Sequence, residues 1–356
     1  MGAASWIESW WAWSLPCALQ GALLLALAWI TDRLLARRAW PQLLALVWLL
    51  ALARSFLPPE LSSPWSVTAA LGAPTLAAAE SVPGEGLLRA GFALWLAGVA
   101  LVLCMRAVQR RRLHARLELV APSAAWARAL SRAARTLDCR SVPRLGTLAG
   151  LATPAVTGLR GPVLLLPRAW LERAPTRRDE HALLHELAHL HRRDLWRDEL
   201  CALACALLWF QPLAWVAARR LHALGELACD ETVAHALGRE ARDYRDTLVL
   251  AARAHLNQAA PSGLRAFLGL PNALVLRIER LDRGAHPRAL VSGACATLAL
   301  LLATCVLPMA PVTAALRAQA RRIFAAQASG ERQSCFSVHA AALVLAADPG
   351  TPQSKP

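Results

Sequence analysis

The chain has 356 residues, room for two or three globular domains, yet 56% of them are apolar, 18% are charged and the mean hydropathy is positive. That composition is too apolar for an ordinary soluble enzyme and excludes disordered and collagen-like architecture. Basic residues outnumber acidic ones 39 to 24, giving a formal charge of +15, and all but one of them are arginine, so a partner surface is expected to be anionic. The nine cysteines are odd in number and contain no CxxC pair, which argues against a disulfide scaffold or zinc ribbon and suits a reducing compartment.

A bilayer core of about 30 Å requires roughly 20 consecutive apolar residues in a helix. Four stretches meet that length: Trp10 to Ile30, Trp40 to Leu57, Leu87 to Val108 and Leu290 to Ala310. Within the third, Arg89 and Arg106 lie near its ends and must snorkel. The first basic residue is Arg33, after the first apolar run rather than before it, so this run is expected to remain as a span and not to be cleaved as a signal peptide. Arg33, Arg37 and Arg38 crowd the first connection, whereas the second, Pro58 to Gly86, holds Glu60, Glu80 and Glu85 and no Lys or Arg. The positive-inside rule then places the first connection in the cytoplasm and the N-terminus outside. Arg110, Arg111, Arg112 and Arg116 follow the third span, so the long central region also begins in the cytoplasm.

Between residues 106 and 288, 29 arginines face 17 acidic residues. They are dispersed, lack interleaved aromatics and show no helix-turn-helix or zinc-finger spacing, so a juxtamembrane basic surface is expected and direct nucleic-acid binding is not. Val142 to Leu148 and Gly158 to Pro167 read as short strands bounded by Gly and Pro. Ser123 to Leu137, Arg178 to Arg193, Leu195 to Leu221 and Leu224 to Leu237 have helical length and spacing, and Pro212 is expected to kink the third. Leu200 to Ala218 is nearly apolar, but Gln211 and Pro212 favour a core or re-entrant helix over a fifth span.

The helix from Arg178 carries His185-Glu186-Leu187-Ala188-His189. Residues four apart share a helical face, so both imidazoles can bind one zinc ion while Glu186 reaches a water at its open position. His181 is eight residues from His189, about 12 Å along the axis, too far to share that ion, and is read as a packing residue or a support behind the ligands. His191 faces elsewhere. The best third ligand is Glu226, with Asp230 on the same face placed to accept a hydrogen bond from a ligating histidine. Cys229 is a competing soft ligand or a buried thiol. Asp194 is expected to cap the next helix rather than touch the site. Tyr244, the chain's sole tyrosine, and His235 are candidates to stabilise an oxyanion, with core packing the alternative for each.

The run HELAHLHRRD from His185, followed by LLWFQPLAWVAARRLHALGELACDETVA from Leu207, resembles the membrane metallopeptidases of the BlaR and MecR signal-transducer type, which are gluzincins. TPAVTGLRGPVLLLP from Thr153 is similar to the strand segment before their zinc helix, and ALVLRIERL from Ala273 to the stretch before their last span. The resemblance covers roughly residues 88 to 310. It implies His185, His189 and Glu226 as zinc ligands, Glu186 as general base and Asp230 as support, with Gly158 to Leu166 as an edge strand for an extended substrate. It is not expected to extend to a penicillin-binding sensor, because the 46 residues after Ala310 contain no SxxK.

The expected fold class is therefore α+β: a mainly helical integral membrane protein with a gluzincin-type zinc protease domain carrying a small sheet. Residues 1–108 are expected to hold three transmembrane helices, 109–288 the cytoplasmic peptidase, 289–310 a fourth span and 311–356 a short tail. The expected partners are the lipid bilayer of a bacterial-type plasma membrane and a protein substrate, a repressor or the chain itself. A non-proteolytic signalling or scaffold protein is the alternative, weakened by the intact Glu186. A transporter is disfavoured because the spans lack buried charges and broken paired helices.

Overall fold

The computed structural model describes residues 3–36, 39–57, 85–257 and 276–281. The expected fourth span and the C-terminal tail lie outside the described residues. The chain divides into two compact units, one of Met1–Leu24, Leu50–Ala93 and Thr297–Pro356, the other of Leu25–Leu49 and Leu94–Ala296.

The first three helices are α1 (Ala3–Leu35), α2 (Pro41–Arg54) and α3 (Glu85–Arg116). By length and composition, two helices among the described residues can cross a membrane, Cys17–Leu35 within α1 and Gly86–Arg116. The expected span Trp40 to Leu57 is helical only over the 14 residues of α2, about 21 Å at 1.5 Å per residue. Within the first unit, the Trp11 indole N–H donates to the Leu88 carbonyl at 3.0 Å, and Trp10 packs edge-on to Phe92. Arg54, fully buried, donates to Gln20 and to the Leu57 carbonyl, so the expectation that the spans lack buried charge does not hold for Trp40 to Leu57.

The second unit holds the sheet, with β1 (Leu117–Leu119), β2 (Arg144–Leu148), β3 (Ala155–Thr157) and β4 (Val163–Leu165) in the order β1-β2-β4-β3. β1 and β2 are antiparallel, β2 and β4 parallel, β3 and β4 antiparallel with Val156 opposite Leu164. The segment Gly158 to Leu166 is thus corrected in two ways. Its strand, β4, is completely buried and lies inside the sheet, and the edge strands among the described residues are β1 and, beside β4, β3. Gly158 begins the turn between them at φ +91°, where a Cβ would lie 2.5 Å from the Gly161 carbonyl oxygen, so glycine is required there.

The helices of this unit are α4 (Ala124–Thr136), α5 (Arg168–Leu171), α6 (Arg177–His191), α7 (Asp194–Leu207), α8 (Pro212–Leu237) and α9 (Ala241–Asn257), with a further helical turn over 276–281. Ser123 caps α4, whose Trp126, Leu130 and Ala133 share a core with Leu183, Leu184 and Leu187 of α6, with Leu164 of β4 and with Leu166 just after it. The Trp126 indole N–H donates to the Trp170 and Arg173 carbonyls at 3.2 and 2.9 Å.

The single kinked helix expected over Leu195 to Leu221 is instead two helices. Proline lacks an N–H and disfavours helical geometry in the residue before it, so the chain breaks at 208–211 and restarts with Pro212 at the first position of α8. The same helix then continues to Leu237, taking in the separately expected segment Leu224 to Leu237.

Candidate metal centre

A capping box starts α6: the Asp179 carboxylate accepts from the Thr176 amide at 2.7 Å, and the Thr176 hydroxyl accepts from the Asp179 amide. Arg173 pairs with Asp179 and fixes the box. With Leu183, Leu184, Leu187 and Ala188 committed to the core, His185, Glu186 and His189 occupy the other face, and the two imidazole rings stand edge-on at 5.0 Å. The adjacent helix α8 brings Glu226 between them. Glu226 Oε2 lies 3.2 Å from His185 Nε2, and Oε1 lies 3.2 Å from His189 Nε2.

Each imidazole has a carboxylate at its other nitrogen. His185 Nδ1 is 3.1 Å from Asp230 Oδ1, one turn along α8 from Glu226. His189 Nδ1 is 3.0 Å from Asp194 Oδ2, at the start of α7. The turn that brings Asp194 back uses Arg193 in the left-handed region at φ 60°. Asp194, expected only as a cap, therefore touches the site. Cys229 is fully buried there, its thiol 3.3 Å from both His189 Nδ1 and Asp194 Oδ2.

Arg277, from the 276–281 turn, is a member of the site that spacing arguments missed. Its Nε and Nη2 donate to the two Asp230 oxygens at 2.6 and 2.8 Å, and Nη1 is 3.2 Å from Glu226 Oε2. The segment resembling the stretch before the last span was the sole sequence signal for it. Tyr244 is 1% exposed and its hydroxyl donates to Asp230 Oδ1 at 2.6 Å, on the far side of His185 from Glu226, so it does not face the ligand set. His235 is exposed and nine residues past Glu226, on the opposite face of α8. His181 is buried, with Nδ1 2.9 Å from the Thr247 hydroxyl and its ring against Tyr244. His191 is exposed.

The charges match this arrangement. Burial opposes protonation of His185, but Asp230 and Glu226 outweigh it and raise its pKa to about 8. Burial likewise opposes protonation of His189, which Asp194, Cys229 and Glu226 push up to about 12. Burial would raise Glu226, yet His185, His189 and Arg277 hold it well below the usual carboxylate range. Against the same effect, His185 and Arg277 keep Asp230 at about 2. Glu186 is shifted the other way, raised chiefly by burial.

The donor set fits a divalent ion of the zinc type. Tetrahedral bonds of about 2.0–2.2 Å need donors roughly 3.3 Å apart. The His185, His189 and Glu226 atoms lie within 4.8 Å of one another, with both imidazole-to-carboxylate separations at 3.2 Å. Carboxylates on both Nδ1 atoms direct both Nε2 atoms inward, as ligating imidazoles require.

Two imidazoles from α6 thus face a carboxylate from α8, a donor set that could hold one metal ion. The chain matches the family described as BlaR1 peptidase M56 over residues 14–281 and belongs to that family. No curated protein matches the chain.

Proposed function

We propose that this protein is an integral-membrane zinc metalloendopeptidase that cleaves a cytoplasmic protein, a repressor or the chain itself, in signal transduction. The observation that carries the reading is the approach of His185 Nε2 and His189 Nε2 to opposite oxygens of Glu226 at 3.2 Å each. His185, His189 and Glu226 would hold a zinc ion, which would supply an acidified water and polarisation of the substrate carbonyl. Glu186 accepts the water's proton and returns it to the leaving amine, and burial shifts its pKa upward, in the direction that eases the return step. Asp230 and Asp194 orient the imidazoles, and Arg277 keeps Asp230 and Glu226 ionised. The edge strand β3 packs beside α6 and offers unpaired main-chain groups to an extended peptide.

The membrane reading rests on α1 and α3. The apolar side chains Leu94, Leu101, Leu103 and Met105 of α3 are exposed, as lipid contact requires. The shorter α2 returns the chain across, its length mismatch taken up by local thinning. Residues 1–108 then hold three crossings, 109–288 the cytoplasmic peptidase, 289–310 a fourth crossing and 311–356 a tail, with the N-terminus outside a bacterial-type plasma membrane. The test is expression in membranes with wild type and Glu186→Gln side by side, measuring bound zinc and product fragments. One zinc per chain in both and cleavage in wild type alone are expected. Zinc binding with no cleavage by either would favour a non-proteolytic signalling role.

A further inference from the structure

The break between α7 and α8 falls inside an uncharged run. No Asp, Glu, Lys or Arg occurs from Leu200 to Ala218, and the run is bounded by Glu199 on one side and by Arg219 and Arg220 on the other. Because the chain turns at 208–211, these residues form a hairpin with two short limbs. The limbs, from Glu199 to Leu207 and from Pro212 to Arg219, rise about 12 and 10 Å at 1.5 Å per residue. A bilayer core is about 30 Å thick, so a hairpin of this length enters one leaflet and cannot cross. Trp196, Leu200 and Leu203 follow the spacing of one face of α7 and are 46%, 64% and 46% exposed, and Phe210 at the tip is 49% exposed.

The hairpin lies along α3. The Trp95 indole donates to the Leu207 carbonyl at 2.9 Å and the Trp209 indole to the Trp95 carbonyl at 3.2 Å. The Trp209 ring packs so closely on α3 that a Cβ on Gly98 would lie 2.2 Å from it. At the other end of the first limb, Arg106 donates to Glu199 at 3.3 Å and Arg110 pairs with the same carboxylate. On the second limb, Arg220 pairs with Asp32 near the end of α1 at 2.9 Å. Charges on four helices thus stop at one level, and the hairpin continues beyond it beside the exposed Leu101 and Leu103 of α3. Carbonyls freed by the break find partners within the protein: Leu207 accepts from Trp95, Trp209 from the Trp215 indole at 3.2 Å, and Leu208 from the Gln211 amide at 2.8 Å. A turn in water can leave such groups to solvent, whereas one in hydrocarbon must satisfy them internally.

We propose that the α7–α8 hairpin is a re-entrant membrane element, with Leu203 and Phe210 covered by acyl chains of the cytoplasmic leaflet and Trp196 at the headgroup interface. This rests on the reading of α1 and α3 as spans. Lipid is the occupant that the pattern fits: Arg106, Arg110 and Arg219 lie where anionic headgroups would be, and everything between them and the tip is uncharged. The hairpin also fixes the height of the metal centre. Asp194, beside His189, precedes Glu199 by five residues, and Glu226 follows Arg219 by seven, so the ligands stand about 8–10 Å to the cytoplasmic side of the charged level, where the headgroups end. A peptide held by this centre lies at the membrane surface.

The test uses the full chain in phosphatidylcholine and phosphatidylglycerol vesicles, with a fluorescent amino acid placed in turn at positions 200, 203, 210 and, as an exposed site on the far end of α8, 235. Quenchers are phosphatidylcholine carrying a nitroxide in mid-chain, phosphatidylcholine carrying it on the headgroup, and iodide in the water. Mid-chain quenching should rise from 200 through 203 to 210, exceeding headgroup quenching at 210 by at least about threefold, while iodide should quench position 235 and spare 203 and 210. Equal headgroup quenching at 200, 203 and 210 would mean that the hairpin lies flat on the surface, and iodide reaching 203 and 210 as freely as 235 would mean that it stands in water or in an aqueous cleft. Either result overturns the proposal, as does protection of 203 and 210 from iodide without mid-chain quenching, the outcome expected if a second protein covers them. Release of the unlabelled chain from its membranes by alkaline carbonate would instead sink the reading of α1 and α3 as spans.

Discussion

Replacing Asp230 with Asn tests whether the imidazoles are set by the carboxylates behind them. Asp230 is 2% exposed and accepts from His185 Nδ1, the Tyr244 hydroxyl, and Arg277 through Nε and Nη2. An asparagine of the same shape keeps one acceptor oxygen and turns an NH2 toward a donor, so at least one Arg277 bond is lost and the guanidinium faces a neutral group. Breaking a buried ion pair from one side costs about 3–5 kcal/mol. Removing the carboxylate partner of a metal-ligating histidine costs about 10–100-fold in metal affinity. Asp230→Asn is therefore expected to weaken zinc binding by about 10–100-fold and to lower the Tm of the metal-free protein. Asp194→Asn should weaken zinc similarly through His189, because Asp194 faces the other imidazole. Competition against a calibrated chelator gives the affinity, and thermal unfolding gives the stability. Zinc affinity within about threefold of wild type in Asp230→Asn would refute the idea that His185 is oriented from behind.

Three further outcomes follow from the same contacts. His185 has a folded pKa of about 8 against an ordinary value near 6.5. Its stabilisation is complete below about pH 6.5 and is lost as pH rises through 8, while zinc requires the neutral ring. The Tm of the metal-free protein should fall between pH 6.5 and 8.5 as the zinc-induced gain in Tm grows, and a gain that stays flat over that range would contradict the assignment. Trp126→Phe orphans the Trp170 and Arg173 carbonyls at a fully buried position and should cost about 1–3 kcal/mol by denaturant unfolding. A cost below about 0.5 kcal/mol would mean those carbonyls find other partners. Arg220 on α8 pairs with Asp32 of α1, which is 4% exposed, so Arg220→Met should cost about 3–5 kcal/mol. Adding Asp32→Leu should recover most of that loss of Tm, and a double variant no better than the single would refute the pairing argument.

Local sequence determined the parts of this protein that depend on neighbours along the chain. Helical periodicity put His185 and His189 on one face, the Ser123 and Thr176 caps marked where α4 and α6 begin, and apolar length marked α1 and α3. The spacing of Glu226 and Asp230 likewise required both to face the same way. Tertiary structure decided what depends on groups far apart in sequence. β1 is three residues long with Glu118 at its centre, too short for alternation to reveal, and it exists because β2 pairs with it. The sheet edge passed from β4 to β3 because strand order is set by pairing between segments and leaves no mark on either segment's own pattern. Arg277 reaches Asp230 across 47 positions of chain, and Asp194 returns to His189 through a left-handed residue, neither of which composition or periodicity encodes. A helix dictates which side chains share its face, but only the packing of one helix on another brings the donors on those faces within hydrogen-bonding distance.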